Sequence, residues 1–167
     1  MNFYKAVIQY KGTHYHGWQI QNTEKTIQGE LNFALKKITK DEDLKTIGSG
    51  RTDAGVHAFN QVCKIETTLT IPPENFIKAL NSNLPDDIRI TEMEMSDEKF
   101  HPIFDVKEKE YIYIFSNKKI QNPFERELLV NIDWDLDFVK MSKACELIIG
   151  KIDFCNFYCV GTDVQTS

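Results

Sequence analysis

The 167-residue chain is 41% hydrophobic and 27% charged, with a net charge of −5 at pH 7. This composition is ordinary for a globular protein, and a chain of this length can bury a core without disulfides. No run reaches the roughly 18 apolar residues of a membrane span, and the N-terminus has no apolar signal region, so we expect a cytoplasmic protein with no membrane partner. The acidic total argues against a uniformly basic nucleic-acid binder. Residues 1–64, however, carry nine Lys or Arg against six Asp or Glu, which leaves room for a local basic surface.

Six elements are predicted in the first hundred residues. β-branched and aromatic residues predict four strands, over residues 3–10, 44–47, 59–67 and 88–95. Apolar residues at helical spacing predict a helix capped by Thr26 and a second helix begun by Pro72 and Pro73. The resulting βαββαβ order is the ferredoxin-like pattern, an α+β fold in which two helices cover one face of a four-stranded sheet. RNA-recognition modules share this architecture, but the fold alone does not establish the function.

Residues 11–21 form a polar and aromatic loop between the first strand and the first helix. Rings, amides and cations in one loop suit contact with RNA, but Trp18 is equally compatible with a place in the core. His14 and His16 are two residues apart and could share one side of extended backbone. Because no third ligand lies nearby, we expect exposed or hydrogen-bonded histidines and no metal site.

Cysteines are scattered along the chain, at Cys63, Cys145, Cys155 and Cys159. They form neither a paired disulfide framework nor a full set of zinc ligands. We therefore expect buried, reduced thiols.

A polar segment at residues 96–99 divides the chain into an N-terminal domain, 1–98, and the beginning of a second domain, 99–167. In the second domain the pattern predicts a strand over 109–115, an apolar run over 128–130, a helix from Asp135 to Gly150 and a strand over 152–160. The helix has an apolar stripe formed by Phe138, Met141, Cys145 and Ile148. We expect a related α/β domain that is cut off before its closing elements.

The stretch from Gly48 to Ala58 (GSGRTDAGVHA) holds three of the chain's eight glycines. Clustered glycines are typical of backbone that turns sharply or approaches another group closely. Asp53 lies two residues from Arg51, and a guanidinium beside a carboxylate favours its ionised form. This makes Asp53 a candidate nucleophile or base. The alternative is that Thr52 and Asp53 only cap a turn.

Two phosphate-binding loops share part of this glycine spacing, and neither fits. Gly50 and Gly55 have the spacing of a P-loop, but Val56 and His57 stand where Lys and Ser or Thr are required. The dinucleotide-binding pattern fails as well, because Asp53 occupies its third glycine position and would repel a pyrophosphate.

The nine residues from Gly50 to Ala58 resemble the signature of the tRNA pseudouridine synthase A family. Further resemblances follow in the family's order, in Tyr10–Gln19, Thr26–Gln28, Phe100–Asp105 and Lys109-x-Tyr111. The resemblance implies that Asp53 is the catalytic nucleophile, that Tyr111 packs against the target uracil, and that Arg51 lies at the flipped-out nucleotide. It also implies homodimers of two-domain subunits with a catalytic cleft between the domains.

The activity that the resemblance implies is isomerisation of uridine to pseudouridine in the tRNA anticodon stem-loop, at positions 38 to 40, without a cofactor or metal. An ionised carboxylate can attack the sugar, add to the ring or take a sugar proton. A base inside a stem must first leave the stack. Two other hypotheses remain, a non-catalytic RNA-binding module of ferredoxin-like fold and a purely structural glycine turn.

Overall fold

The computed structural model describes residues 1–154 and residue 157. By its internal contacts the chain divides into two compact units, Met1–Tyr111 and Ile112–Ser167. This division follows contacts, whereas the sequence-based boundary at 98/99 follows composition, and the two criteria differ for residues 99–111. The boundary between folding domains stays a prediction.

The first unit is an α+β structure with one antiparallel sheet. Its elements are β1 (Asn2–Tyr10), α1 (Ile27–Thr39), β2 (Lys45–Gly48), β3 (Ala58–Thr67), α2 (Pro73–Asn81) and β4 (Ile88–Ser96). The strand order is β2-β3-β1-β4, and every neighbouring pair is antiparallel. The predicted βαββαβ order and four-stranded sheet are therefore confirmed.

Alternate residues of β1 supply the centre of the core. Tyr4, Ala6, Ile8 and Tyr10 are buried, and the ring of Tyr4 meets that of Phe76 edge to face, with centroids 5.2 Å apart. The helices and the other strands contribute further fully buried side chains, among them Leu31, Leu35, Leu80, Ile65 and Ile88. Each is worth about 1.5–3 kcal/mol relative to its exposed state. Both helices pack on this face of the sheet, which confirms the predicted layering.

The start of α1 is built together with the loop that precedes it. Thr26 accepts a hydrogen bond from the Gly29 N–H (3.2 Å), as the sequence predicts for an N-cap. The N–H groups of Ile27 and Gln28 donate to the Gly17 and Trp18 carbonyls, at 3.1 and 3.0 Å. Since the first N–H groups of a helix have no partner within it, the loop at residues 17–18 replaces solvent there.

The opposite face of the sheet is partly covered by the chain that follows β4. Lys64 is only 5% exposed, and its ammonium donates to the Glu98 carbonyl (2.7 Å), pairs with Glu66 (3.4 Å) and lies 4.6 Å from the Phe3 ring centroid. A buried lysine is stable only when its charge is paired and hydrogen-bonded, as here. Pro102 is also buried. Residues 98–102 are thus attached to the first unit.

The described part of the second unit has little regular structure. It consists of β5 (Phe115–Ser116), β6 (Val130–Asn131), which pair in parallel, and α3 (Phe138–Glu146). The predicted strand over 109–115 is wrong for most of its length, because only Phe115 has a strand partner. A period-2 sequence forms a strand only where another strand satisfies its backbone.

The helix α3 is shorter than predicted. It begins at Phe138 with Asp137 as N-cap, rather than at Asp135, and ends at Glu146 before Gly150. No residue of α3 is buried within the described part of the chain, although its apolar stripe has helical spacing. Most of the strand predicted over 152–160 lies outside the described residues. No helix in the described ranges is long and apolar enough to cross a membrane.

The cysteines differ from the expectation of buried thiols. Cys63 is fully buried in β3, and burial raises its pKa to about 12, so it is an inert core thiol. Cys145 is free and exposed on α3, which corrects the prediction for that residue. Cys155 and Cys159 lie outside the described residues.

Candidate active site

The glycine-rich stretch forms the connection between β2 and β3. The hydrogen bonding between β2 and β3 continues for one more bond, from the Ser49 N–H to the Val62 carbonyl (2.8 Å). After Ser49 the chain leaves the sheet. A turn closes at the far end, where the Val56 N–H donates to the Asp53 carbonyl (3.2 Å) and Gly55 takes a φ of +80°. Glycine is therefore favoured at position 55, because the backbone there is left-handed. The clustered glycines predict such a turn.

The backbone on either side of Asp53 is bound to the loop at residues 11–21. Before Asp53, the Trp18 N–H donates to the Thr52 carbonyl (3.0 Å). After it, the Gly55 N–H donates to the Tyr15 carbonyl (3.1 Å). These two bonds hold the Asp53 backbone in place, so its carboxylate is presented from a fixed position.

Side chains add two more connections between the same loops. The Tyr10 hydroxyl and the Thr52 hydroxyl are hydrogen-bonded at 2.9 Å, and burial raises the pKa of Tyr10, so its phenol stays protonated at neutral pH. The Gly12 N–H donates to Nδ1 of His57 (3.2 Å), which requires the imidazole to be neutral with its proton on Nε2.

Glycines make this close contact sterically feasible. A Cβ at Gly17, whose φ is +85°, would collide with the Thr52 carbonyl oxygen, and one at Gly12 would collide with the Val56 carbonyl oxygen. A Cβ at Gly48 would come within 2.7 Å of the Trp18 indole nitrogen. Gly12 and Gly17 therefore allow the two backbones to approach closely, and Gly48 makes room for the Trp18 ring.

The beginning of the glycine-rich loop is held separately by Gln61 of β3, which is only 9% exposed. Its amide donates to the Gly50 carbonyl (2.6 Å) and accepts from the Ser49 hydroxyl (3.0 Å). The peptide that leads into Arg51 is thus fixed to the sheet. This role of Gln61 was not predicted, because a glutamine on a strand has no local sequence pattern that marks it.

Gln28 supports the other loop from the first turn of α1, and no sequence pattern predicts this supporting role. This buried side chain accepts hydrogen bonds from the Ile20 N–H (3.1 Å) and from the Gln19 amide (2.8 Å). Its own amide donates to the Thr46 carbonyl of β2 (3.0 Å). The first turn of α1 thereby holds the loop at 11–21 against the sheet edge.

Asp53 and Arg51 do not form the ion pair that their spacing suggested. Both side chains are exposed, and among residues 1–154 and 157 none is hydrogen-bonded or ion-paired to either. The Thr52 hydroxyl bonds to Tyr10, and the turn is closed by backbone, so neither Thr52 nor Asp53 caps it through its side chain. The turn does not need a carboxylate at position 53, which weakens the purely structural hypothesis.

The aromatic and histidine residues of the loop at 11–21 have structural surroundings. Trp18 is 1% exposed, with its ring 6.1 Å from that of Tyr10, so it is a core residue and not a ring free to stack on RNA. His14 is exposed, and Nδ1 of His16 lies 3.3 Å from a carboxylate oxygen of Glu24. No three His, Cys, Asp or Glu side chains in the described ranges are grouped as metal ligands.

Tyr111 is the last residue of the first unit and has 77% of its surface exposed, in irregular backbone. Its exposure leaves the ring free for a ligand, and its proposed contact with uracil stays a prediction. Two residues earlier, the Lys109 ammonium lies 3.5 Å from the position that a Cβ on Gly50 would occupy. Lys109 was not among the predicted site residues.

A groove of about 220 Å³ lies beside the loop, next to the Gly50–Arg51 peptide. Its lining includes Trp18, Gln19, Ile47 and Ile103. The groove therefore combines an apolar wall with the side-chain amides of Gln19 and Gln28 and the guanidinium of Arg51.

A family model and several known proteins match this chain, and all of them are described as tRNA pseudouridine synthases. A family model described as tRNA pseudouridine synthase matches residues 6–105. The chain is similar to tRNA pseudouridine synthase A of Bacillus pumilus (44% identity over 96% of this chain and 66% of the relative) and of Lysinibacillus sphaericus (43%, over 96% and 66%). It is also similar to that of Geobacillus sp. strain WCH70, with 41% identity over 96% and 65%. The chain thus spans 65–66% of the length of these relatives.

Proposed function

The chain belongs to the tRNA pseudouridine synthase family, and we propose that it is an isomerase that converts uridine to pseudouridine in tRNA. The observation that carries the proposal is the exposed carboxylate of Asp53, held on fixed backbone and without a partner in the described part of the chain. It lies within the segment that the family model matches. A carboxylate that is not used by the fold is available to a substrate.

The reaction needs a nucleophile or base but no redox step. The N1–C1′ bond of the uridine breaks, the uracil turns while it is retained, and a C5–C1′ bond forms. The C5 proton leaves and N1 gains a proton, so the product has the composition of the substrate. Asp53 acts on the target nucleotide, and covalent participation would divide one difficult step into two easier ones. The reaction as written consumes no cofactor.

In this proposal Arg51 and Tyr111 contact the target nucleotide while its base is out of the stack. Removing a base from a stem costs about a few kcal/mol, and a guanidinium that fills the vacated space reduces that cost. Arg51 has no ion-pair partner among the described residues and lies two positions from Asp53. The exposed ring of Tyr111 stacks on the turning uracil, a contact that is worth about 1–3 kcal/mol per base.

The family resemblance also suggests the target, the assembly and the compartment. The substrate uridines are those at positions 38 to 40 of the anticodon stem-loop, the active form is a homodimer, and the protein works in the cytoplasm. Mapping of pseudouridine in tRNA from cells with and without the protein would identify the positions, and sedimentation would give the assembly.

The decisive experiment measures tritium release from tRNA labelled at C5 of uridine, since that hydrogen is lost only when the new bond forms. We expect Asp53→Asn to reduce the release rate at least about 10³-fold, as loss of a catalytic nucleophile does. Asp43→Asn is the matched control, because Asp43 is an exposed acid outside the loop. Undiminished release in Asp53→Asn would reject the nucleophile. Binding of tRNA without any release would favour the non-catalytic RNA-binding module.

A further inference from the structure

The ammonium of Lys109 rests on a fixed part of the glycine-rich loop. A Cβ built on Gly50 would lie 3.5 Å from the Lys109 Nζ. Apart from Gly50 and its chain neighbours, no other described atom would lie within 4 Å of that Cβ. The peptide beneath it is immobilised by the 2.6 Å hydrogen bond from Gln61 to the Gly50 carbonyl. Lys109, which is distant from Gly50 in sequence, therefore places its ammonium at a defined position near the Gly50–Arg51 peptide.

Lys109 and Arg51 bring two positive charges to this part of the loop. Arg51 follows Gly50 directly, so the two Cα atoms are about 3.8 Å apart. Neither Arg51 nor Lys109 pairs with a carboxylate anywhere in the described ranges, and both are exposed. Like charges that are brought together without a counterion favour an anionic ligand. An ammonium binds phosphate as a point charge, and the positive charge of the next residue in the chain, Arg51, strengthens the attraction.

The surroundings indicate what the phosphate belongs to. The groove of about 220 Å³ starts at the Gly50–Arg51 peptide and has Ile47 and Ile103 in its apolar lining. Gln19, which also lines it, uses its NH₂ group on Gln28, while no described donor bonds to its carbonyl oxygen. An apolar wall beside a free amide oxygen suits the flat face and the N–H groups of a base. A phosphate site beside a base-sized groove matches a nucleotide.

Charge determines on which side of Asp53 this nucleotide lies. The Asp53 carboxylate repels phosphate, whereas Arg51 and Lys109 attract it. The phosphate is therefore expected on the Arg51 side of Asp53. Two residues of extended chain span about 7 Å, so the phosphate lies within reach of a nucleotide next to the one at Asp53.

We infer that Lys109, supported by the positive charge of the neighbouring Arg51, forms a phosphate site for the nucleotide that flanks the target uridine, with the base of that nucleotide in the groove lined by Gln19, Ile47 and Ile103. This rests on the proposed function for the identity of the polymer, RNA. Lys109 is a substrate-positioning residue in this arrangement. It sets the register of the RNA on the loop and takes no part in bond breaking.

The test compares two lysines of the same segment. Lys109→Met and Lys107→Met remove the same charge from exposed positions, but only Lys109 lies over Gly50. Binding of a fluorescent RNA hairpin with the sequence of a tRNA anticodon arm is measured by anisotropy between about 50 and 200 mM salt. Thermal unfolding of both variants checks that the fold is unchanged.

We expect Lys109→Met to weaken binding about 5- to 10-fold and to reduce the slope of log K against log salt by about 0.7–0.9, the loss of one phosphate contact. Lys107→Met should stay within about twofold of the wild type, with its slope unchanged, because a distant exposed charge is screened. Equal behaviour of the two variants, or no binding of the hairpin by the wild type, would overturn the phosphate site.

Tritium release on the same proteins separates this inference from the proposed function. A working isomerase should show a raised KM and a nearly unchanged kcat in Lys109→Met. Hairpin binding that depends on Lys109, in a protein that releases no tritium, would reject the isomerase and retain the phosphate site. Release that is equal in the two lysine variants, together with equal binding, would reject the site and retain the isomerase.

Discussion

The helices α1 and α3 begin in the same way but differ completely in burial. Each has an acidic or hydroxyl N-cap that accepts a hydrogen bond from the first turn, Thr26 in α1 and Asp137 in α3. Six residues of α1 are buried, and none of α3 is buried in the described part of the chain. Caps and periodicity are local properties, whereas burial requires a second layer, which the sheet of the first unit provides for α1.

The largest expected effect concerns leucines in the two regions. Leu31 of α1 is fully buried and Leu147, which follows α3, is 80% exposed. Leu31→Ala should lower the free energy of unfolding by about 2–5 kcal/mol, because it removes buried carbon and leaves a cavity. Leu147→Ala should change it by less than about 0.5 kcal/mol.

Urea unfolding followed by the fluorescence of the buried Trp18 and by circular dichroism would measure both leucine variants. A Leu147→Ala variant as destabilised as Leu31→Ala would show that the side chain of Leu147 is buried in solution, and the contrast between the two regions would then fail.

Glycines with positive φ provide a second, smaller contrast. Gly17 (φ +85°) lies against the Thr52 carbonyl, whereas a Cβ at Gly150 (φ +109°) would meet no described atom within 4 Å. Gly150→Ala should cost about 1–2 kcal/mol from backbone strain alone. Gly17→Ala adds a collision, so we expect a larger fall in the melting temperature. It should also reduce tritium release, because the backbone beside Asp53 must move. Equal melting temperatures would mean that the two loops can separate at no cost.

The smallest expected effect is a dependence on pH that differs between two aspartates. Asp41, which follows α1, accepts hydrogen bonds from the Thr68 N–H (2.6 Å) and the Thr67 hydroxyl (2.8 Å), and these lower its pKa to about 2. The N-cap bond from Lys140 lowers the pKa of Asp137. Because the folded pKa of Asp41 is below the unfolded value of about 3.9, its contribution is complete above pH 4.

The stability that Asp41 contributes is therefore lost as the pH falls from about 4 towards 2. Asp41→Asn should flatten the acid limb of a plot of unfolding free energy against pH, measured with the Trp18 signal. Asp137→Asn should flatten that limb less, because α3 buries no side chain within the described residues and its unfolding exposes little. An Asp41→Asn variant with the same acid limb as the wild type would contradict the lowered pKa of Asp41.

The prediction of elements succeeded where neighbours in sequence decide the structure. Alternation predicted the strands of the first unit, and Thr26 and the two prolines predicted the helix starts, since each depends on a few adjacent residues. It failed over residues 109–114, because a strand needs a partner that the sequence pattern does not reveal. The same limit applies to the apolar stripe of α3.

The amino-acid sequence was enough to predict the βαββαβ order and the glycine-rich loop, and to propose Asp53 as the candidate nucleophile. The folded structure was needed to show that Trp18 belongs to the core, that Arg51 leaves Asp53 unpaired among the described residues, and that the Lys109 ammonium lies near Gly50. Local signals such as caps, turns and periodicity act over a few residues. Contacts between distant segments depend on how two loops and a sheet edge pack, and a single sequence does not display that packing.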